Sequence, residues 1–366
     1  MNSRLRINEN EAKILNIIGK TADVPNEEIA DAVQYKRTDT VSRKLKKFDN
    51  LNIIKGPYYD INLNAVGENQ LYNIYSIVEF DPENRNLIFE IFKAIPGRRW
   101  IFPFTDLDRF FVYFQCNHYR PVGTLMKNIC KKKLIQYELF TSRYKWIKRN
   151  PDFFGLSVPT MEELLNTCKL PDMSYKNIRP EVKWNSTDLT VMQYLQVWSD
   201  SPIEIARREY KWFGKFLSYD NIRYSIKKIK NHGIIESKDY HISPLPREQC
   251  STILLLLSST KRKTLLRIME NFGKGCRLHK SYTLAGDTGI VFLWVLPEAA
   301  TNMLDIFDRI NFLDSRMYFL RSHETPYLYQ FSFEPQMFNI DKQRWEFHSL
   351  KVQKEIEELI EREKEK

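Results

Sequence analysis

Apolar residues recur at helical spacing in three short segments near the start of the chain. Ile14, Leu15, Ile17 and Ile18 mark a first helix over 10–18. Asn26 caps a second, with Glu27 and Glu28 at its positive end and Ile29, Ala30 and Val33 on its face. After the turn 34–37 comes a third helix over 38–50, with Val41, Leu45 and Phe48 on one stripe. Ile53-Ile54 and Tyr59-Asp60-Ile61 flank Gly56-Pro57, which predicts a two-stranded hairpin. Three helices and a hairpin in this order are a winged helix-turn-helix.

The period then changes. A strand over 72–80 is followed by a helix over 84–94, strands over 100–104 and 110–116 around Asp106-Leu107-Asp108, a helix over 124–131 and a strand over 134–140. This is the β-α-β-β-α-β order of a ferredoxin-like plait, which covers one sheet face with helices and leaves the other for a second plait.

The plan then repeats. Val41, Leu45, Phe48, Ile53, Ile54, Tyr59 and Ile61 correspond to Ile222, Ile226, Ile229, Ile234, Ile235, Tyr240 and Ile242 at a shift of 181, as from 41 to 222. The first helix matches at a shift of 177 (Ile14 to Val191, Ile18 to Leu195), so about four residues are inserted between helices one and three of the second copy. Strands over 252–257, 278–283, 290–295 and 316–320 and helices over 262–269 and 301–309 repeat the plait. The expected fold class is therefore α+β, a tandem repeat of winged helix-turn-helix and ferredoxin-like domains. The expected domains are a first head (1–66), a first plait (67–142), a proline-punctuated linker (143–185), a second head (186–245), a second plait (246–325) and a C-terminal strand and charged helix (326–366). The last helix carries Val352, Ile356, Leu359 and Ile360 on one stripe, suited either to its own chain or to a second copy.

Composition narrows the function. The chain has 366 residues, 43% hydrophobic and 13% aromatic, enough for real cores, and its net charge of +10 favours a polyanionic partner. Residues 35–56 hold seven Lys/Arg against two Asp, and 205–240 hold nine against four acids, so the excess sits on the heads. No apolar run approaches a membrane span and the N-terminus lacks a signal-peptide core. Five scattered cysteines without a CxxC pair suit reduced thiols in the cytoplasm and no structural zinc. No GxxxxGK[ST], HExxH or GxSxG motif is present. No cofactor, no metal and no catalytic residue is therefore expected.

The candidate site is double-stranded DNA contact by the third helix of each head. Arg43, Lys46 and Lys47, with Arg223, Lys227 and Lys228 in the second copy, are assigned to phosphates, and Arg37, Lys44 and Lys230 to the same DNA-binding surface. Thr38, Thr40 and Ser42, with Tyr219 and Asn221, are assigned to base edges. Because the heads differ, the preferred site should be an imperfect palindrome or an asymmetric site. Elsewhere, Arg98-Arg99-Trp100 reads as solvated turn charge or an anion site. Lys131-Lys132-Lys133 and the basic stretch 143–149 read as a solvated helix end or a further phosphate contact.

A helix-turn-helix followed by a β-α-β-β-α-β plait resembles the Lrp/AsnC (feast/famine) regulators, twice over in this chain. The resemblance implies an archaeal-type transcription regulator without catalysis, with plaits that pair subunits and often bind an amino acid at an interface; the C-terminal helix, an extension beyond the family pattern, is a second route to a homodimer. The glycine-containing effector loop is not recognisable, since Asp106-Leu107-Asp108 and Ala285-Gly286-Asp287 stand at the hairpin tips. Sirohaem decarboxylases share the architecture, and that alternative would use His118, Tyr119 and Arg120 or His279. The remaining alternative is a protein-interaction module.

Overall fold

The computed structural model describes residues 7–143, 145–148, 159–170, 181–242, 250–272, 280–295, 297–321, 325–330 and 332–365, with the backbone alone at 145–148 and 280–282. In chain order, the first head contains α1 (Glu9–Lys20), α2 (Asn26–Ala32), α3 (Thr38–Asn50) and β1 (Ile54–Ile61), followed by the short α4 (Leu63–Val66). The first plait contains β2 (Tyr72–Glu79), α5 (Arg85–Ala94), β3 (Arg98–Pro103), β4 (Arg109–Cys116), α6 (Tyr119–Lys131) and β5 (Gln136–Ser142). Then come β6 (Lys145–Lys148) and α7 (Met161–Leu165). The second head has α8 (Ser186–Val197), α9 (Pro202–Phe213), α10 (Tyr219–Asn231) and β7 (Ile235–Ile242). The second plait has β8 (Ser251–Ser258), α11 (Arg262–Phe272), β9 (Lys280–Ala285), β10 (Thr288–Val295), α12 (Pro297–Asp308) and β11 (Asp314–Leu320). β12 (Tyr329–Gln330), β13 (Phe338–Asn339), β14 (Arg344–Trp345) and α13 (Ser349–Lys364) complete the chain.

The expected fold class is the observed one. The sheets run β3-β4-β2-β5 and β9-β10-β8-β11, the plait order in both repeats, and each gains a fifth strand at one edge. Most boundaries fall within two residues of the expected ones, and two helices start about a turn earlier for an identifiable reason. α6 begins at Tyr119, before Pro121, because a proline in the first turn lacks only an N–H that the helix leaves unpaired anyway. Pro297 opens α12 in the same way. Asn26 does not cap α2: Pro25 holds that position, and the Asn26 amide donates to Ser42 Oγ at 3.0 Å instead.

The expected wing hairpins do not form. β1 runs straight through Gly56-Pro57, and its sheet partner is β7. The Asn62 N–H donates to the Ile234 carbonyl at one end, and Gly56 lies against the Asp239 carbonyl further along, so the pair is antiparallel. The reason is local. Pro57 cannot take the positive φ that the second position of a type I′ turn needs, and the other repeat supplies a strand of matching length.

The compact units also differ from the sequential domains. One unit is 1–60, 145–173 and 237–318; the other is 61–144, 174–236 and 319–366. Each unit thus combines the head of one repeat with the plait of the other. In the first unit Ile242 of β7 enters the core of the first head, beside Ile14, Ile18, Val41, Phe48 and Ile54. There, too, β6 pairs with β9, and α7 sets Leu164 against α11, with the Asn271 amide donating to the Leu164 carbonyl at 3.0 Å. Part of the expected linker is therefore structural.

In the second unit the two-residue strand β12 pairs with the edge strand β3; Phe331 lies outside the described residues. The apolar stripe of α13, Val352, Ile356 and Ile360, is buried, and the helix packs on α5 and α6 of its own chain. Between them, Trp345 is held by its indole N–H on the Leu63 carbonyl (3.1 Å) and its backbone N–H on Asn69 Oδ1 (2.8 Å). Gln343 bonds both backbone groups of Trp184. Residues 332–364 thus tie the second head to the first plait within this unit.

Candidate nucleic-acid interface

The heads are built on the same capping device. Asn8 caps α1 and Asn185 caps α8, each in a reciprocal box with the residue three positions on, Glu11 and Asp188. The boxes stand 177 residues apart, and both carboxylates turn inward to be met by the third helix. Lys44 Nζ and Lys47 Nζ lie 2.7 and 2.9 Å from Glu11 Oε1. At the shift of 181, Ser225 Oγ lies 2.7 Å from Asp188 Oδ1 and Lys228 Nζ 2.5 Å from Asp188 Oδ2. Burial works against the Glu11 charge, but the Lys44 and Lys47 ammonium groups and the Asn8 N–H outweigh it and hold the carboxyl down at about 2.

This fixes which way the third helices face. Val41 and Phe48, with Ile222, Ile226 and Ile229, are buried. Lys44 and Lys47 hold Glu11, Lys228 is clamped on Asp188 and lies over the Trp184 ring, and Lys230 pairs with Asp200 at 3.5 Å. Four of the cations assigned to DNA contact are therefore engaged in ion pairs inside the heads. The remaining ones, Arg37, Arg43, Lys46, Arg223 and Lys227, are exposed and make no ion pair with a described residue.

Of the base-edge candidates, Thr38 and Ser42 are exposed on α3, and Thr40 is half-buried. Tyr219 and Asn221 are exposed in the first turn of α10, where Ser218 Oγ accepts the Asn221 backbone N–H at 3.2 Å. Each head thus presents one polar, cationic helix face with its first turn uncovered, a shape that fits a major groove.

Sequence reasoning missed a third group. Tyr210, Trp212, Phe213, Phe216 and Tyr224 are all exposed on α9, the following turn and α10. The signal was available: α2 has 7 residues and α9 has 12, so the insertion in the second copy is an extra helical turn, and it carries three of these rings.

The other candidates are placed differently. Arg98 and Arg99 lie in β3, not in a turn. Arg98 pairs with Glu334 at 3.0 Å, and Arg99 donates to Gln115 Oε1 at 2.5 Å. His118 caps α6, its Nδ1 accepting the Arg120 N–H at 3.2 Å. His118 and Arg120 also line a cavity of 380 Å³ with Thr124, Ser349 and Gln353. His279, 144, 149 and the glycine turn 273–275 lie outside the described residues. Among the described residues no group of His, Cys, Asp and Glu could hold a metal, and no helix is long and apolar enough to cross a membrane.

No family model and no curated protein matches this sequence. Solved structures do. The siroheme decarboxylase NirDL is similar over 98% of this chain and 100% of its own, at 12% identity and a TM-score of 0.48. Its co-complex with an iron-uroporphyrin III analogue is similar over 96% and 99%, at 13% identity and a TM-score of 0.48. AsnC of E. coli is similar over 37% of this chain and 91% of its own, at 16% identity and a TM-score of 0.30. The expectation of a chain without catalysis is corrected here: the proteins matched along the whole length are an enzyme, and the regulator matches one third of it.

Proposed function

We propose that this protein is a duplex-DNA-binding transcription regulator that contacts DNA through α3 and α10. One observation carries the reading. In both heads the cations divide into an inward set held by the helix-one carboxylate and an outward set that makes no ion pair with a described residue, and at the shift of 181 one outward cation, Lys46 or Lys227, recurs at the same position. Exposed cations that make no ion pair with a described residue, next to small polar side chains in the first turn of the helix, suit phosphate anchoring with base contact. Arg37, Arg43, Lys46, Arg223 and Lys227 hold phosphates; Thr38, Thr40, Ser42 and Asn221 approach base edges. The test is duplex binding by the variant Arg43→Ala/Lys46→Ala/Arg223→Ala/Lys227→Ala. Loss of binding with an unchanged melting temperature is expected; wild-type affinity would defeat the proposal.

A second reading, a tetrapyrrole-acting enzyme of the decarboxylase type, is favoured by the cavity beside His118 and Arg120. Its cation and its imidazole, whose Nε2 is left by the capping contact at Nδ1, suit a carboxylate-bearing ligand. Titration with iron uroporphyrin, followed by absorbance, tests it. A Soret shift lost in His118→Ala/Arg120→Ala supports this reading, and an unchanged spectrum rejects it.

A further inference from the structure

The two heads are not equivalent copies. At the shift of 181, Thr38 becomes Tyr219, Arg43 becomes Tyr224 and Tyr35 becomes Phe216. Tyr35 packs on the core of its head, whereas Phe216 is 88% exposed. The extra turn of α9 adds Tyr210 (60% exposed), Trp212 and Phe213 (55% exposed). Gly214 ends that helix in the left-handed conformation, φ 65°, with its N–H on the Tyr210 carbonyl, and so brings Phe216 back beside the ring of Tyr210 at 5.4 Å. Arg208, held by Glu204 at 2.6 Å, lies against both Trp198 and Trp212, at 4.8 and 5.1 Å from their ring centres. Tyr224 is 67% exposed on the same face of α10 as Lys227.

We infer that the added turn of α9, the turn 214–218 and the outer face of α10 form a stacking surface for the bases of single-stranded DNA. The inference rests on the nucleic-acid reading above and narrows it for the second head. So many exposed rings within one short segment are costly unless they are covered in use. The charge around them names the cover. Lys211, Lys215, Arg223 and Lys227 are exposed and make no ion pair with a described residue, and Asp220 is the one exposed acid on the turn and α10. Rings interleaved with cations suit a polyanion that carries flat apolar faces, and unpaired bases on a phosphate backbone are that ligand. A closed duplex can meet the cations but is a poor match for the rings. Its base faces are already stacked, and Phe213 and Phe216 offer no hydrogen bond to a base edge.

The test uses the full chain and fluorescence anisotropy at one salt concentration. The probes are labelled oligothymidine of about 20 nucleotides and a duplex of equal length. The variant is Phe213→Ala/Phe216→Ala, which removes two exposed rings and leaves the core intact. Wild type should bind both probes. The variant should bind oligothymidine about tenfold or more weakly and duplex within about twofold of wild type, with Phe216→Trp retaining oligothymidine binding. Equal oligothymidine binding by wild type and variant overturns the stacking surface and leaves duplex recognition standing. So does ring-dependent binding to phosphatidylserine vesicles without any to oligothymidine, which would assign the patch to a membrane. Binding of neither DNA overturns both proposals.

Discussion

Lys228 Nζ lies 2.5 Å from Asp188 Oδ2, a carboxylate with no solvent exposure, and the contact restates that of Lys47 with Glu11 one repeat earlier. The preceding lysine of each pair, Lys227 or Lys46, faces solvent. Two adjacent lysines are therefore placed differently: the second locks helix three onto helix one, and the first is exposed. Lys228→Ala would leave a buried carboxylate without its cation, at a cost of about 3–5 kcal/mol. A melting temperature lowered by roughly 6–12 °C is expected, against no measurable change for Lys227→Ala. Equal melting of the two variants would contradict the division.

Acid should loosen the first head through Glu11. Its folded-state value, about 2, lies below the ordinary 4.5 of a free glutamate, so its contribution is fully present above pH 4.5 and fades as pH falls toward 2. The amount is on the order of 2 kcal/mol, reduced from the full shift because Lys47 is half exposed. Glu11→Gln should melt lower than wild type at pH 7, and the two curves should converge near pH 2. A gap independent of pH would exclude this ion pair as its source.

The C-terminal residues should matter to stability rather than to binding. Trp345 is buried, its ring packs beside Phe333 and Phe338, and a Cβ on Gly67 would come within 2.6 Å of it. Trp345→Ala should cost about 3–5 kcal/mol, and Gly67→Ala should destabilise in the same direction. Urea unfolding measures both; a wild-type midpoint for Trp345→Ala would show that this segment does not anchor the unit.

The strand and helix order was legible because periodicity and the fixed shift of 181 both report local pattern. The exchange between repeats was not. Pro57 argues against a tight turn, but it does not name β7 as the partner, since a hairpin and an exchanged strand bury the same alternation of Tyr59 and Ile61. The capping boxes at Asn8 and Asn185 went unread, and that Glu11 and Asp188 would claim Lys47 and Lys228 depends on helix crossing, which spacing does not encode. The exposed rings left a trace in the length difference between α2 and α9. Their exposure could not be read, because Trp212, Phe213 and Phe216 look like core residues in composition alone.

The central claim is that the outward lysines, and not their inward neighbours, meet DNA phosphates. The measurement that tests it is the salt dependence of duplex binding for wild type, Lys46→Ala/Lys227→Ala and Lys47→Ala. Each lost phosphate contact should flatten the slope of log K against log salt by about 0.9, so the double variant should lose nearly 2 and Lys47→Ala should keep the wild-type slope. A double variant with the wild-type slope, or a flatter one for Lys47→Ala alone, would contradict the account.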